Sequence, residues 1–509
     1  MTGVWECLRL LLRTSWTSVV GWPVALGVLL WSAAASILDM YPDEARRTLY
    51  AEAAASSVAT RVFQGRGYDL TLPGGIFAQE MGIIVLTLFP LVAVFLAIQL
   101  TRSLEDRNYL DIITAGIVGR FAPVAAGMLA CCVSALLTGL LGAVILIATG
   151  YPQAGSIWYA ASLVVFMIFA SAVGLLAGQL FRNAREAQYL AIAVILGCYL
   201  LRGYIDVKSV DATWSNPISW FAETLPFSAS PQAWPFAAYI VAACALWAAA
   251  LWVAAHRDLG GGVFPPQPGP AEASPRLSSP AALIFRLTRE AGIAFMIGGG
   301  ATAFVFGLFA KEMASSGLDA RLVLLMQVNA LFACAVAVQT AQLVVSEERA
   351  GRAARVLSAP VGRSKWMLAA GLVVGGWALM MLAWTGLVSG AGLALSLEDA
   401  SQVGDAVLDT LAFAPAALLV TALACALGAV HPRLAVAAWF VVVWSAVVTL
   451  RADMLQLGET SRRLSPLEWM GKVPLEDWAG TAALAMSVIA VVAFALSLLL
   501  FRRRDLVAG

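Results

Sequence analysis

Apolar residues run along most of this chain in unbroken stretches of about twenty, the length that carries a helix across a hydrocarbon core. Polar positions gather in the short gaps between them. Twelve such runs begin near Thr17, Ala78, Phe121, Ile157, Ala187, Trp234, Ile293, Leu322, Met367, Gly404, Leu434 and Trp478. The pattern predicts an all-α integral membrane protein of twelve transmembrane helices. Two stretches are amphipathic instead, "ECLRLLLRTSW" before the first run and "ALIFRLTREAG" before the seventh, and each predicts an elbow helix.

The gaps repeat. "QLTRSLEDRNYLDIITAGIVGRF" returns 243 positions later around "SEERAGRAARVLSAPVGRSKW", with Gln99 on Gln342, Glu105 on Glu348 and Val118-Gly119-Arg120 on Val361-Gly362-Arg363. At an offset of 249, Arg202 falls on Arg451, Pro217 on Pro466 and Trp220 on Trp469, and at 247 Arg257-Asp258-Leu259 falls on Arg504-Asp505-Leu506. Matches in one order with slowly drifting offsets predict a tandem duplication of six helices, the two copies facing the same way. The halves are then residues 1–258 and 281–509, joined by a Gly/Pro/Ser-rich linker at 259–280. Roughly 34 extra residues lie between the first two runs, around "ARRTLYAEAAASSVATRVF", Ala-rich enough to be helical.

Composition narrows the chemistry. With 61% apolar and 12% charged residues and a net charge of +1, no basic domain exists to hold nucleic acid. The seven cysteines show no CxxC spacing and read as packing residues, and two histidines leave no metal cluster. The apolar run behind Arg9 and Arg13 is long enough to span and is read as a retained helix rather than a leader. Placing the N-terminus inside puts 20 Lys and Arg residues on the cytoplasmic side and 12 outside, so both termini and both charged loops are expected in the cytoplasm. No GxxxxGK[ST] phosphate loop and no hydrolase triad occurs, so energy for any transport must be borrowed.

Each charged loop reads as a short helix, a break, and a Gly-Arg pair entering the third run. Glu347, Glu348, Arg352 and Arg355 are expected on one helix ending before Pro360, with Glu348 and Arg352 at i,i+4. A solvated loop whose arginines fix topology is one reading; a docking surface for a partner is the other. "SEERAGRAARVLSAPVGR" resembles the coupling-helix segment of permeases of type-2 ABC exporters. The linker and "LSSPAALIFRLTRE" are similar to the group known as exporters of polyketide antibiotics. The resemblance spans nearly the whole chain, but the first loop departs from it at Asn108, Tyr109 and Ile117, where the second has Gly351, Arg352 and Pro360. It implies a separate ATPase in two copies, which would bind ATP and Mg while this chain carries no cofactor and no catalytic site. Glu105, Asp106, Arg107, Arg120, Glu347, Glu348, Arg349, Arg352 and Arg363 are the implied docking residues. ATP binding would draw the two partners together, tilting the helices attached to each loop.

The resemblance also places the second and fifth runs of each half along the substrate path. Candidates there are Phe89, Gln99, Tyr189, Tyr199, Asn329, Phe332, Gln339, Trp439 and Trp444. Their amides serve equally well as glue between helices. Arg202 and Arg451, at the outer ends, must either snorkel or pair with an acid such as Asp206, Glu223 or Asp453, which would make an external latch. Trp220 and Trp469 read as interfacial anchors or as caps on an outer gate. The expected function is export of hydrophobic or amphipathic, antibiotic-like compounds across a bacterial cytoplasmic membrane. A twelve-span ion-coupled multidrug transporter is the alternative, disfavoured by the elbows and by the lack of intramembrane acids.

Overall fold

Backbone inside hydrocarbon has no water to bond, so long apolar runs satisfy their N–H and C=O groups as helices. The structure, a computed structural model, describes all residues except 1–2, 57, 107–108, 110–117, 209–211, 259–260, 265–271, 273, 309, 311–317, 452–456, 477 and 506–509. Among the described residues there is no β-strand, and eleven helices are long and apolar enough to cross a membrane. The chain divides into two units, Met1–Gly269 and Pro270–Gly509.

The first unit opens on α1 (Val4–Thr14), which buries Cys7, Leu8 and Leu11 along one side. After α2 (Trp16–Met40) come three short helices, α3 (Glu44–Ser56), α4 (Val58–Gln64) and α5 (Pro73–Glu80), in the segment that has no counterpart in the second half. Then follow α6 (Gly82–Leu100), its continuation α7 (Arg102–Asp106), α8 (Ala122–Thr149), α9 (Gln153–Leu180), α10 (Ala184–Lys208), the single turn α11 (Ser219–Ala222) and α12 (Trp234–His256). Helix α9 is central and packs against α6, α8, α10 and α12. Its Tyr159 and Phe166 join Phe77, Phe221, Phe227 and Tyr239 in a knot of tilted and edge-on rings.

The second unit runs α13 (Pro280–Leu308), α14 (Leu318–Arg349), α15 (Arg352–Leu357), α16 (Arg363–Leu397), α17 (Gln402–Leu411), α18 (Ala414–Val430), α19 (Ala438–Arg451), α20 (Glu459–Arg462) and α21 (Gly480–Arg503). Here α16 is central, touching α13, α14, α17, α18 and α21.

One expectation is met in part and two change. Twelve spans were expected, but the run from Leu434 forms a 3-10 turn followed by α19, leaving Leu434–Leu450 a shorter apolar helix beside the eleven long ones. The second elbow is no separate helix. "ALIFRLTREAG" is the first part of α13, because helix formers continue through it, whereas Ser15 interrupts the first elbow from α2. Finally, the tenth run is split between α17 and α18 just ahead of Pro415, which lacks an N–H and is placed in the first turn of a new helix.

Large apolar side chains stand exposed along α12 and α21, among them Val241, Trp252, Leu484 and Val491. Such continuous apolar faces suit lipid and not water. The chain is a multi-pass membrane protein.

Candidate functional site

The charged loops follow the far ends of α6–α7 and α14. In the first unit Glu105 on α7 is buried, and its carboxylate takes a two-pronged ion pair from Arg257, just after α12, at 2.7 Å on each oxygen. Arg257 also donates from Nε to Gln179 Oε1 at the end of α9 (2.9 Å), and its own carbonyl accepts from Arg120 Nη2. In the second unit Glu348, near the end of α14, is buried and receives Arg504, just after α21, at 2.6 Å on each oxygen. The Arg504 carbonyl accepts from Arg363 Nη1 at 2.6 Å, and its Nη2 donates to the Gly428 carbonyl at the end of α18 (3.3 Å). One constellation is thus built twice from residues that match in the sequence: an acid at the end of the second long helix or its continuation, the Arg of Gly-Arg, and the Arg of Arg-Asp-Leu.

Burial makes these pairs consequential. Removing one partner of a buried pair strands the other charge and costs about 3–5 kcal/mol. The first copy carries a further cation, Arg102, fully buried, bonded to Glu105 at 2.8 Å and donating to the carbonyls of Arg182 and Gly261. The matched position in the second copy is Val345. The beginning of the Gly-rich linker is therefore tethered. Phe264 N donates to the Leu180 carbonyl, and a Cβ on Gly262 would sit 2.6 Å from Arg182 N, so only glycine fits that approach.

The other docking candidates lie nearer the surface. Asp106 accepts from the Ala184 N–H at 2.7 Å, placing negative charge at the N-terminus of α10, where the helix dipole favours it. Arg349 is exposed at the end of α14. Glu348 and Arg352 do not share a helix as expected, because Gly351 adopts a left-handed φ of 70° and ends α14 before α15 begins. Arg352 instead grips Glu347 across the break, at 2.7 and 2.6 Å, with 57% of its side chain exposed. The hydrogen bonds that Arg352 donates to Glu347 raise its pKa above the ordinary value, so the guanidinium stays charged. Arg107, Asn108 and Ile117 lie outside the described residues.

At the opposite end of the first unit, Arg202 on α10 is fully buried and pairs with Asp206 at 3.2 Å. Its Nη2 donates to the Val62 and Phe63 carbonyls of α4, at 2.5 and 3.2 Å, and its guanidinium lies 4.8 Å from the Tyr199 ring. Tyr199 donates to the same Phe63 carbonyl, and Arg66 reaches Asp206 and the Ile205 carbonyl. Burial, the Glu80 charge and the hydrogen bond to Glu80 raise the Tyr50 pKa, so this phenol keeps the proton it donates (2.7 Å). The Arg202, Tyr199 and Arg66 contacts fasten the extra segment onto α10, and Tyr50 ties it to α5. Only the backbone of Arg451 is described, and Asp453 lies outside the described residues. Trp220 and Trp469 each donate from the indole to a carbonyl six residues back, Trp214 and Arg463, at 2.7 Å, with Trp220 half-buried and Trp469 exposed.

The candidate path residues scatter. Phe89 is fully buried in the first unit's core, and Gln99 donates to Ser18 Oγ on α2. Tyr189 is exposed on α10. Asn329 is buried and donates to Ser389 Oγ on α16, while Phe332, Gln339 and Trp439 are half-buried. Trp444 donates to the Ser461 carbonyl and stacks on Phe440. A cavity of about 460 Å³ opens in the first unit between α9, α10 and α12, lined by apolar side chains that include Phe169, Val194, Cys198 and Ala245.

The sequence reading singled out Glu105, Glu348, Arg120 and Arg363 but gave no role to Arg257 and Arg504. The signal was available, since Arg-Asp-Leu recurs at nearly the same offset as the glutamates it meets.

Residues 17–233 match the ABC-2 type transporter family. Residues 277–502 match the multidrug efflux system permease Rv1217c, C-terminal domain. The chain is a membrane subunit of the type-2 ABC exporter class. Over 99% of its length it is 27% identical to the multidrug efflux system permease protein Rv1217c of Mycobacterium tuberculosis, 95% of which is covered.

Proposed function

We propose that this subunit forms the path of an ATP-driven exporter for hydrophobic or amphipathic, drug-like compounds, powered by two copies of a separate ATPase. Twelve spans in two six-helix halves would place both termini and both charged loops in the cytoplasm of a bacterial cell. The observation that carries the reading is α15. A short helix bearing exposed Arg352 stands at the end of α14, backed by a buried ion pair, in a chain of the ABC-2 class. ATP and Mg would be held by the partners, and this chain's charged loops would supply fit and not chemistry. The apolar cavity of about 460 Å³ is of a size that suits drug-like ligands and supports the substrate class.

Co-expression with candidate ABC ATPase subunits tests the reading. The complex is expected to contain two ATPase copies per chain and, in liposomes, to move ethidium only with ATP. A single ATPase per chain, or ATP hydrolysis by the purified chain alone, would overturn it.

A further inference from the structure

Glu105–Arg257 and Glu348–Arg504 do more than neutralise charge. In each unit one guanidinium gathers four helix ends: the carboxylate at the end of the second long helix or its continuation, an acceptor from the fourth (Gln179 Oε1 or the Gly428 carbonyl), the arginine's own place after the last, and a carbonyl held by the arginine that opens the third. The surroundings differ, with Arg102 against Val345 and Gln179 against Gly428, yet the two-pronged contact is the same. A buried pair is seldom needed for stability alone, since apolar residues of similar volume serve as well. Its property here is directional: a planar fork on a carboxylate fixes orientation as well as distance.

We propose that these pairs are two copies of one mechanical clasp, joining the charged loop of each half to its last helix, with Arg257 and Arg504 as positioning residues. The inference rests on the exporter reading and deepens it. Glu105 and Glu348 act inside the chain, leaving docking to exposed side chains such as Arg352. When a partner displaces the end of α14, Glu348 carries Arg504 and the end of α21 with it, while Arg363 brings the start of α16. The first copy is doubly pinned by Arg102 and Arg257; the second has Val345 where the first has Arg102, and it is the one that transmits the larger movement.

The test uses the full chain with its ATPase partner in liposomes, reading ethidium efflux per ATP hydrolysed, and hydrogen exchange of the purified chain alone. Arg504→Ala is expected to lower the efflux ratio about tenfold, within the range of coupling energies, with the ATPase still co-purifying. It raises exchange in 345–349 and 499–503 together. The exchanged pair Glu348→Arg with Arg504→Glu moves both readouts back toward those of the unsubstituted chain, and Arg504→Lys, which keeps charge but loses the fork, falls between. An unchanged ratio for Arg504→Ala, or an exchanged pair no better than the single variants, would overturn the clasp. So would loss of ATPase binding by Glu348→Gln with exchange unaltered, which makes Glu348 a docking contact. If the unsubstituted chain binds no ATPase, the exporter reading fails, and the hydrogen-exchange arm still judges the clasp.

Discussion

Two glutamates in matching places meet unequal surroundings, and their substitutions should diverge. Glu105→Ala strips Arg257 of the Glu105 carboxylate and leaves Arg102 resting on Asp106 at 3.5 Å, with side-chain exposures of 9% and 1%. Thermal unfolding in detergent should show a loss of about 3–5 kcal/mol. Glu348→Ala strands Arg504, which is already 16% exposed, so the loss is smaller and the uncoupling larger. Equal destabilisation by the two would contradict this ranking. Arg352 offers the opposite case. Its exposed pair with Glu347 is worth at most about 1 kcal/mol to folding, so Arg352→Glu should leave the melting temperature in place. ATPase affinity should nevertheless fall, with the deficit shrinking at high salt as charge is screened. A salt-independent affinity would remove Arg352 from the docking surface.

At the scale of elements, apolar run length alone carried most of the helices, because a span's length is set by the bilayer and its ends by polar gaps. What ran against the reading was local. A left-handed Gly351 broke the helix that i,i+4 charge spacing draws, a helix start ahead of Pro415 broke a run that hydropathy draws as continuous, and "ALIFRLTREAG" joined two pieces that amphipathicity separates. The site was half legible: the repeat exposed Glu105, Glu348, Arg120 and Arg363, but a contact across about 150 residues, such as Glu105 with Arg257, has no local signature. The extra segment shows the same limit. Its helical character was readable from alanine content, while its attachment through Arg202 depends on two backbone carbonyls, which have no side-chain identity to read. Deleting Asp43 to Gly74 with a short Gly-Ser bridge should therefore lower expression, since Arg202 loses the Val62 and Phe63 carbonyls. Adding Arg202→Leu and Asp206→Leu to the deletion should recover a folded chain that still binds ATPase, because an apolar pair of similar size replaces a broken buried one. Failure of that rescue, judged by size-exclusion chromatography, would mean that the segment holds the fold through other contacts.

Across the whole molecule the two units share a clasp but differ at the end opposite to it. The extra helices and the aromatic knot belong to the first unit, and the fourth run is one continuous helix where its counterpart, the tenth, is broken. That asymmetry locates the substrate prediction. The apolar cavity between α9, α10 and α12 lies wholly in the first unit, and Ala245 is both part of its lining and exposed. Ala245→Trp would fill space there without displacing a buried neighbour. If hydrophobic compounds pass through this cavity, the substitution removes binding common to ground and transition states. The apparent KM for ethidium then rises several-fold, while the maximal rate and ATPase binding are kept. Leu140→Trp, on a part of α8 that is also exposed, serves as the control for adding an aromatic ring to the lipid-facing surface. A concentration dependence identical in the two variants and the unsubstituted complex would take the cavity out of the path.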